Sequence, residues 1–238
     1  MENKKTKISN GMRINKYLAH KNYATRRGAD TLISEGKVFI NGKKAVLGDQ
    51  VTETDKVTLQ GFEAPNYVYY AYYKPAGVST VVSAADEKSI EDVAKFPERV
   101  FPIGRLDKDS EGLILMTNDG RLTDKLLNPE NDHDKEYLVT LEEEVTHAFL
   151  VKMNLGVRIG DYKTKKAKIR RVDKHSFEII LTEGKNRQIR KMCANLGFKV
   201  KYLKRFRVMN ILLGKLKPNQ FRKLTALELK TLFKDLGF

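Results

Sequence analysis

A single cysteine, Cys193, stands in the 238 residues of the chain, so neither a disulfide framework nor a thiolate zinc cluster can be built. Its neighbours Met192 and Leu196 read it as a small buried filler on a helix rather than a nucleophile. The four histidines, His20, His133, His147 and His175, are scattered without ligand spacing, and no HExxH occurs, so no metal is expected. Also missing are a GxGxxG turn after a strand and a GxxxxGK[ST] loop. Dinucleotide and nucleoside triphosphate cofactors are therefore not expected, while a methyltransferase pocket escapes this test. No run approaches the ~18 apolar residues of a spanning helix. No apolar signal segment follows the polar start MENKKTKISNG, so a cytoplasmic protein without a membrane partner is expected.

Acid is the scarcer charge. Asp+Glu number 30 against Lys+Arg 45, a net +15. Such an excess attracts polyanions at long range, and nucleic acid is the commonest of them. With 41% hydrophobic residues the chain can bury a proper core, in one or two domains.

Residues 1–60 read as one unit with its core over 11–59. Ile14, Tyr17 and Leu18 mark one face of a short helix. Thr25 can cap a second, with Ala29, Leu32 and Ile33 inward and Gly36 as its stop. Val38–Ile40 and Lys43–Val46 flank Asn41–Gly42, the dipeptide of a type I′ hairpin. Arg13, Lys16, Lys21, Arg26 and Arg27 gather on and between the helices, which suits either a solvated face or a polyanion. The run RRGADTLISEGKVFING closely resembles the S4 RNA-binding domain, an αL-type module. That resemblance implies that Arg13, Lys16, Arg26 and Arg27 meet RNA phosphates, giving affinity and register but little sequence reading.

QGFEAPN carries Gly and Pro and little apolar content, so 61–66 are expected as a linker before a second domain over 67–238. Strand patterns recur in YVYYAYY, RVFPIG, GLILMT, KEYLVTL, TKKAKIRRVD, SFEIIL and KVKYLKRFRV. Helical patterns fall between them irregularly, in SIEDVAKF, RLTDKLL, THAFLVKMN, NRQIRKMCANLG and TALELKTLF. This order predicts an α+β fold with a mixed, mostly antiparallel sheet.

Two stretches have the makings of one site. GRLDKDSEGL brings Asp107 to the junction of two apolar strands, where its carboxylate would lose hydration and require a cation. EGKNRQIRKM offers cations, with Lys185 opening a helix. On pattern alone Asp107 and its twin Asp109 could equally be turn acids, and Arg187 and Arg190 a solvated helix face.

GRLDKDSEGLILMTNDG, together with YKPAG, NDHDKEYLV and EGKNRQIRKM in the same order, is similar to the pseudouridine synthases of the RsuA/RluB/RluE/RluF group. With the S4 module this covers essentially the whole chain. NDHDKEYLVT and NRQIRKM lean toward the RluF type, which implies 23S rRNA as substrate. The resemblance implies a cofactor-free isomerase in which Asp107 attacks C1′ of a uridine or removes a proton from C2′. It further implies that Tyr137 stacks on the base, Lys185 pairs with Asp107, Arg105 fills the space of the flipped nucleotide, and Leu181 packs on the base. Arg187 and Arg190 would contact RNA, and a monomer is expected.

Three alternatives remain at this stage. One is the same chemistry on a 16S rRNA or tRNA uridine. A second is an RNA-binding protein with a dead catalytic domain. The third is an RNA methyltransferase.

Overall fold

The computed structural model describes residues 11–21, 23–52, 54–61, 66–81, 87–128 and 131–238. The polar start and most of the expected linker, 62–65, lie outside the described residues. The chain divides into two compact units, one comprising the residues up to Tyr67 with Asp119–Arg121, the other Val68–Asn118 and Leu122–Phe238.

The first unit contains β1 (Met12–Arg13), α1 (Ile14–His20), α2 (Arg26–Ser34), β2 (Val38–Ile40), β3 (Lys43–Lys44), β4 (Gln50–Val51) and β5 (Val57–Leu59). Thr25 begins α2 because its hydroxyl accepts the Gly28 N–H at 3.0 Å, satisfying a donor that the helix leaves open. Asn41 and Gly42 turn β2 into β3 with φ of 51° and 80°, the left-handed pair a type I′ turn requires. Ile14 and Leu18 of α1 meet Ala29 and Ile33 of α2 and Val38 of β2 in one small core.

The second unit runs β6 (Tyr69–Lys74), α3 (Ile90–Val93), β7 (Phe101–Ile103), β8 (Glu111–Thr117), α4 (Arg121–Leu127), β9 (Lys135–Leu141) and α5 (His147–Asn154). It continues through β10 (Arg158–Ile159), β11 (Tyr162–Lys163), β12 (Lys168–Arg171), β13 (Ser176–Leu181) and α6 (Gln188–Asn195). Strands β14 (Val200–Val208), β15 (Ile211–Leu212) and β16 (Phe221–Lys223) and helix α7 (Ala226–Asp235) complete it. One mixed sheet of nine strands follows the order β12-β13-β9-β14-β8-β6-β16, with β15 on β14 and β7 on β8. Phe149 and Met153 of α5 and Ile189 and Met192 of α6 cover the β9–β13 half, together with Cys193. Burial pushes the Cys193 thiol up to about 12, so it stays a neutral filler.

The parallel pair in this sheet, β8 with β14, is what opens a site. It lasts only for Lys204↔Glu111 and Arg205↔Gly112. From Leu115 onward the same edge of β8 is taken by β7 instead. The edge of β8 thus changes partner at this seam, just beyond the loop that joins β7 to β8. Close approach at the seam depends on Gly112, whose φ is 111° and where an added Cβ would lie 2.1 Å from the Arg205 carbonyl oxygen.

Candidate active site

Beside the seam lies a cavity of about 960 Å³, walled by the β7–β8 loop and by the ends of β9, β13 and β14. Arg105, Asp107, Tyr137, Leu181, Lys185 and Arg187 all line it. At its edge Arg187 meets Asp109, 78 positions away in the chain. Cross-strand pairing sets the floor: Tyr137 lies between Ile179 and Arg205 in the ladder, and Lys135 beside Leu181. Directly paired residues project from the same sheet face, so one side of this surface presents an aromatic, an aliphatic and two cations.

Asp107 sits on a loop tied down on both sides. The Thr80 hydroxyl donates to the Leu106 carbonyl at 2.7 Å and accepts the Leu106 N–H at 3.0 Å. Beyond the aspartate, Gly77 N–H donates to the Lys108 carbonyl at 2.7 Å, and Ser110 N–H donates to the Asp107 carbonyl at 3.0 Å. The Lys74 ammonium, fully buried, donates to the carbonyls of Val78 at 2.6 Å and Pro75 at 2.8 Å, and reaches that of Lys108 at 3.4 Å. Burial draws its pKa down to about 8, against the opposing pull of Asp107. The YKPAG segment is therefore the bracket that sets the position of Asp107.

The cations differ from the sequence expectation. Lys185 does not open α6, since it stands in the preceding loop, where its N–H donates to the Gln188 side chain at 3.0 Å. Its ammonium lies 5.0 Å from the centroid of the Tyr162 ring and makes no ion pair with Asp107. The cation facing Asp107 is Arg187, at 3.9 Å. Asp107 also remains 28% exposed, wetter than its place between apolar strands suggests.

Asp109 is more than a turn acid. Arg187 grips it with both terminal nitrogens at 2.9 Å, and the Arg190 Nε stands 3.4 Å from it. Arg190 also donates to the Asp109 and Val200 carbonyls, at 3.1 and 3.2 Å, and lies outside the cavity lining. The Arg187 bond holds the Asp109 carboxyl below the usual carboxylate range. Arg187 does this from a left-handed backbone, φ 50°, at the N-cap of α6. Such a conformation costs a non-glycine residue roughly 1–2 kcal/mol.

Arg105 is exposed at the cavity rim, with no ion pair among the described residues. Several lining groups escaped the sequence reading. Tyr162 donates its hydroxyl to the buried Glu183, which also accepts from Lys165 N–H and the Gln188 amide. Burial, then this bond, raises the Tyr162 hydroxyl to about 12. Arg205 stands in the basic run KVKYLKRFRV, whose charge alone would put it on the surface, yet it is 5% exposed. The signal was there in the period-two alternation of β14, which puts Leu203 and Arg205 on the inward phase.

In the first unit Arg13, Lys16 and Arg26 surround a separate hollow of about 420 Å³, which Arg27 does not line. All four are exposed.

Both units resemble known proteins. Residues 68–195 match the family model for RNA pseudouridylate synthase, and residues 12–57 that for the S4 domain. The Dual-specificity RNA pseudouridine synthase RluF of Escherichia coli (strain K12) is 44% identical, over 94% of this chain and 79% of that protein. Ribosomal large subunit pseudouridine synthase B of Bacillus subtilis (strain 168) is 38% identical, over 92% of this chain and 95% of that protein. A solved pseudouridylate synthase superposes with a TM-score of 0.69 at 28% identity, covering 93% of this chain and 99% of the other. Two domain models in the expected order, and relatives that match over 79% and 95% of their own length, place the chain in the RNA pseudouridine synthase family, whose members are isomerases acting on RNA.

Proposed function

We propose that the enzyme converts a uridine of 23S rRNA to pseudouridine with Asp107 as the reacting carboxylate and without a cofactor. The observation that carries this reading is the doubly tied loop that fixes Asp107 at a cavity also lined by Tyr137, Leu181 and Arg105. A uridine within a stack cannot offer C1′ and C5 to a side chain, so the nucleotide is extruded, at a few kcal/mol. Tyr137 and Leu181 then replace the lost stacking, and Arg105 at the rim takes the vacated space.

Asp107 attacks C1′ or takes the C2′ proton. Either way the N1–C1′ bond breaks, the uracil turns, and C5 bonds to C1′. C5 gives up its proton and N1 gains one, so no atom is added or lost. The nucleotide also dries Asp107, which strengthens its attraction to Arg187. Lys185 lines the same cavity and joins Asp107 once it leaves the Tyr162 ring. Residues 1–60 grip RNA phosphates, 61–66 link, and 67–238 carry the chemistry, in a cytoplasmic monomer. Both relatives support the target class: the Bacillus subtilis protein is a ribosomal large subunit enzyme and the Escherichia coli protein is dual-specific.

The test is Asp107→Asn. Pseudouridine, read by mass spectrometry after carbodiimide labelling, should fall by on the order of 10⁴-fold, as for other essential catalytic groups. RNA affinity should stay within several-fold. Wild-type protein that forms no pseudouridine on any rRNA or tRNA fragment would return the chain to an RNA-binding role, and a mass gain would mark a methyltransferase.

A further inference from the structure

The cavity floor carries two cations that the steps above leave idle. Arg205 is 5% exposed yet lines the cavity. Its Nε–H donates to the Leu113 carbonyl at 2.8 Å, and it makes no ion pair with any described carboxylate. Neither terminal nitrogen makes a hydrogen bond to a described group, and neither is sealed from solvent. Lys135 lines the same space, half-buried, and its ammonium donates to the His133 carbonyl at 3.0 Å. Burial and the nearby Arg205 charge both pull its pKa down. Burying a guanidinium without a carboxylate is costly, and a site that keeps one is prepared for an electron-rich guest.

The sheet register says where that guest lies. Arg205 is the cross-strand partner of Tyr137, and Lys135 that of Leu181. These are the two residues assigned above to hold the extruded base. We propose that Arg205, with Lys135 beside it, is a further catalytic residue that binds the carbonyl oxygens of the target uracil and carries the negative charge the ring gains when N1–C1′ breaks. This rests on the assignment of the reaction to this cavity. When the bond breaks its electron pair stays on N1 and spreads to O2 and O4, while Asp107 takes up C1′ or the C2′ proton. The charge is discharged when C5 gives a pair to C1′ and loses its proton, and N1 takes one up. A permanently charged group with directional N–H donors, fixed before the bond breaks, favours that anion over the neutral base.

The experiment compares single-turnover loss of the target nucleoside in two RNAs, one carrying uridine and one 5-fluorouridine, whose withdrawing fluorine stabilises the ring anion without help. Arg205→Met should slow the uridine reaction ~100-fold, the loss typical of one missing oxyanion donor. On the fluorinated RNA the loss should be about tenfold or less, and Arg205→Lys should recover part of it. Lys135→Met should show the same asymmetry at smaller size. Equal losses on both RNAs overturn the proposal, as does an unchanged rate. So does weaker RNA binding with a shallower salt dependence, which marks a phosphate contact. If thermal unfolding shows Arg205→Met misfolded, Arg205→Lys and Lys135→Met carry the comparison and the same outcomes decide. An inactive wild type sinks the reading of the reaction instead, and is seen before any variant is made.

Discussion

In the first unit Arg13, Lys16 and Arg26 stand exposed around an open hollow, whereas in the second Arg187, Arg190 and Arg205 are each tied to particular oxygens. Exposed cations remain hydrated and can follow any polyanion, so they supply affinity that salt erodes. Cations held by a carboxylate or a carbonyl have already lost their freedom, so they add little general attraction but can act on one atom. On the proposed function, the chain divides its surplus charge between grip and chemistry. The two kinds of cation should respond differently to the same mutation.

Among variants that keep every cation of the cavity, the largest effect after loss of Asp107 should come from the uncharged tie on the Asp107 loop. Thr80→Val keeps the side-chain shape but leaves the Leu106 N–H and carbonyl without their partner inside the protein. An unsatisfied buried pair costs roughly 1–3 kcal/mol. A loop displaced even slightly should lower kcat ~10- to 100-fold. Steady-state kinetics beside thermal unfolding read both. Thr80→Ser should restore most of kcat, and a valine variant with unchanged kcat would show that the loop holds Asp107 without this tie.

Neutralising the exposed set should do the reverse. The triple variant Arg13→Ala, Lys16→Ala, Arg26→Ala should raise KM for structured RNA and leave kcat alone. The slope of log affinity against log salt should shrink by about 0.7–0.9 for each lost phosphate contact. A changed kcat with an unchanged slope would mean that these cations position the RNA rather than attract it.

Much of this division could be read in the sequence where the determining residues are neighbours. Thr25 three residues before Gly28, and Asn41 next to Gly42, announce a cap and a turn because the physics is local. The antiparallel strands followed from their alternation. The parallel β8–β14 seam did not, since nothing local marks a two-residue contact between distant strands. Asp107 and Tyr137 were legible through their motifs, but the partner of Asp107 was not. Arg187 reaches the loop only because its backbone turns left-handed and because Asp109, far away in sequence, fixes its guanidinium. Arg205 was hidden for a related reason: a basic run reads as surface until the phase of its strand is counted.

The smallest effect tests that fixed guanidinium. Asp109→Asn removes the pair with Arg187, whose members are 47% and 43% exposed, so after solvent screening its loss should cost only about 0.5–1 kcal/mol. Because the folded carboxyl is held below its ordinary value, its contribution is fully present above pH ~4 and disappears as pH falls through the lowered folded value. Denaturant unfolding of wild type and variant should therefore differ at pH 7 and converge as pH falls below ~4. Activity at pH 7 should drop only modestly, because the released Arg187, already 3.9 Å from Asp107, can turn fully toward it. A collapse of kcat with little change in stability would mean instead that Asp109 must hold Arg187 back, and that the two neighbouring aspartates divide one arginine between anchoring and catalysis.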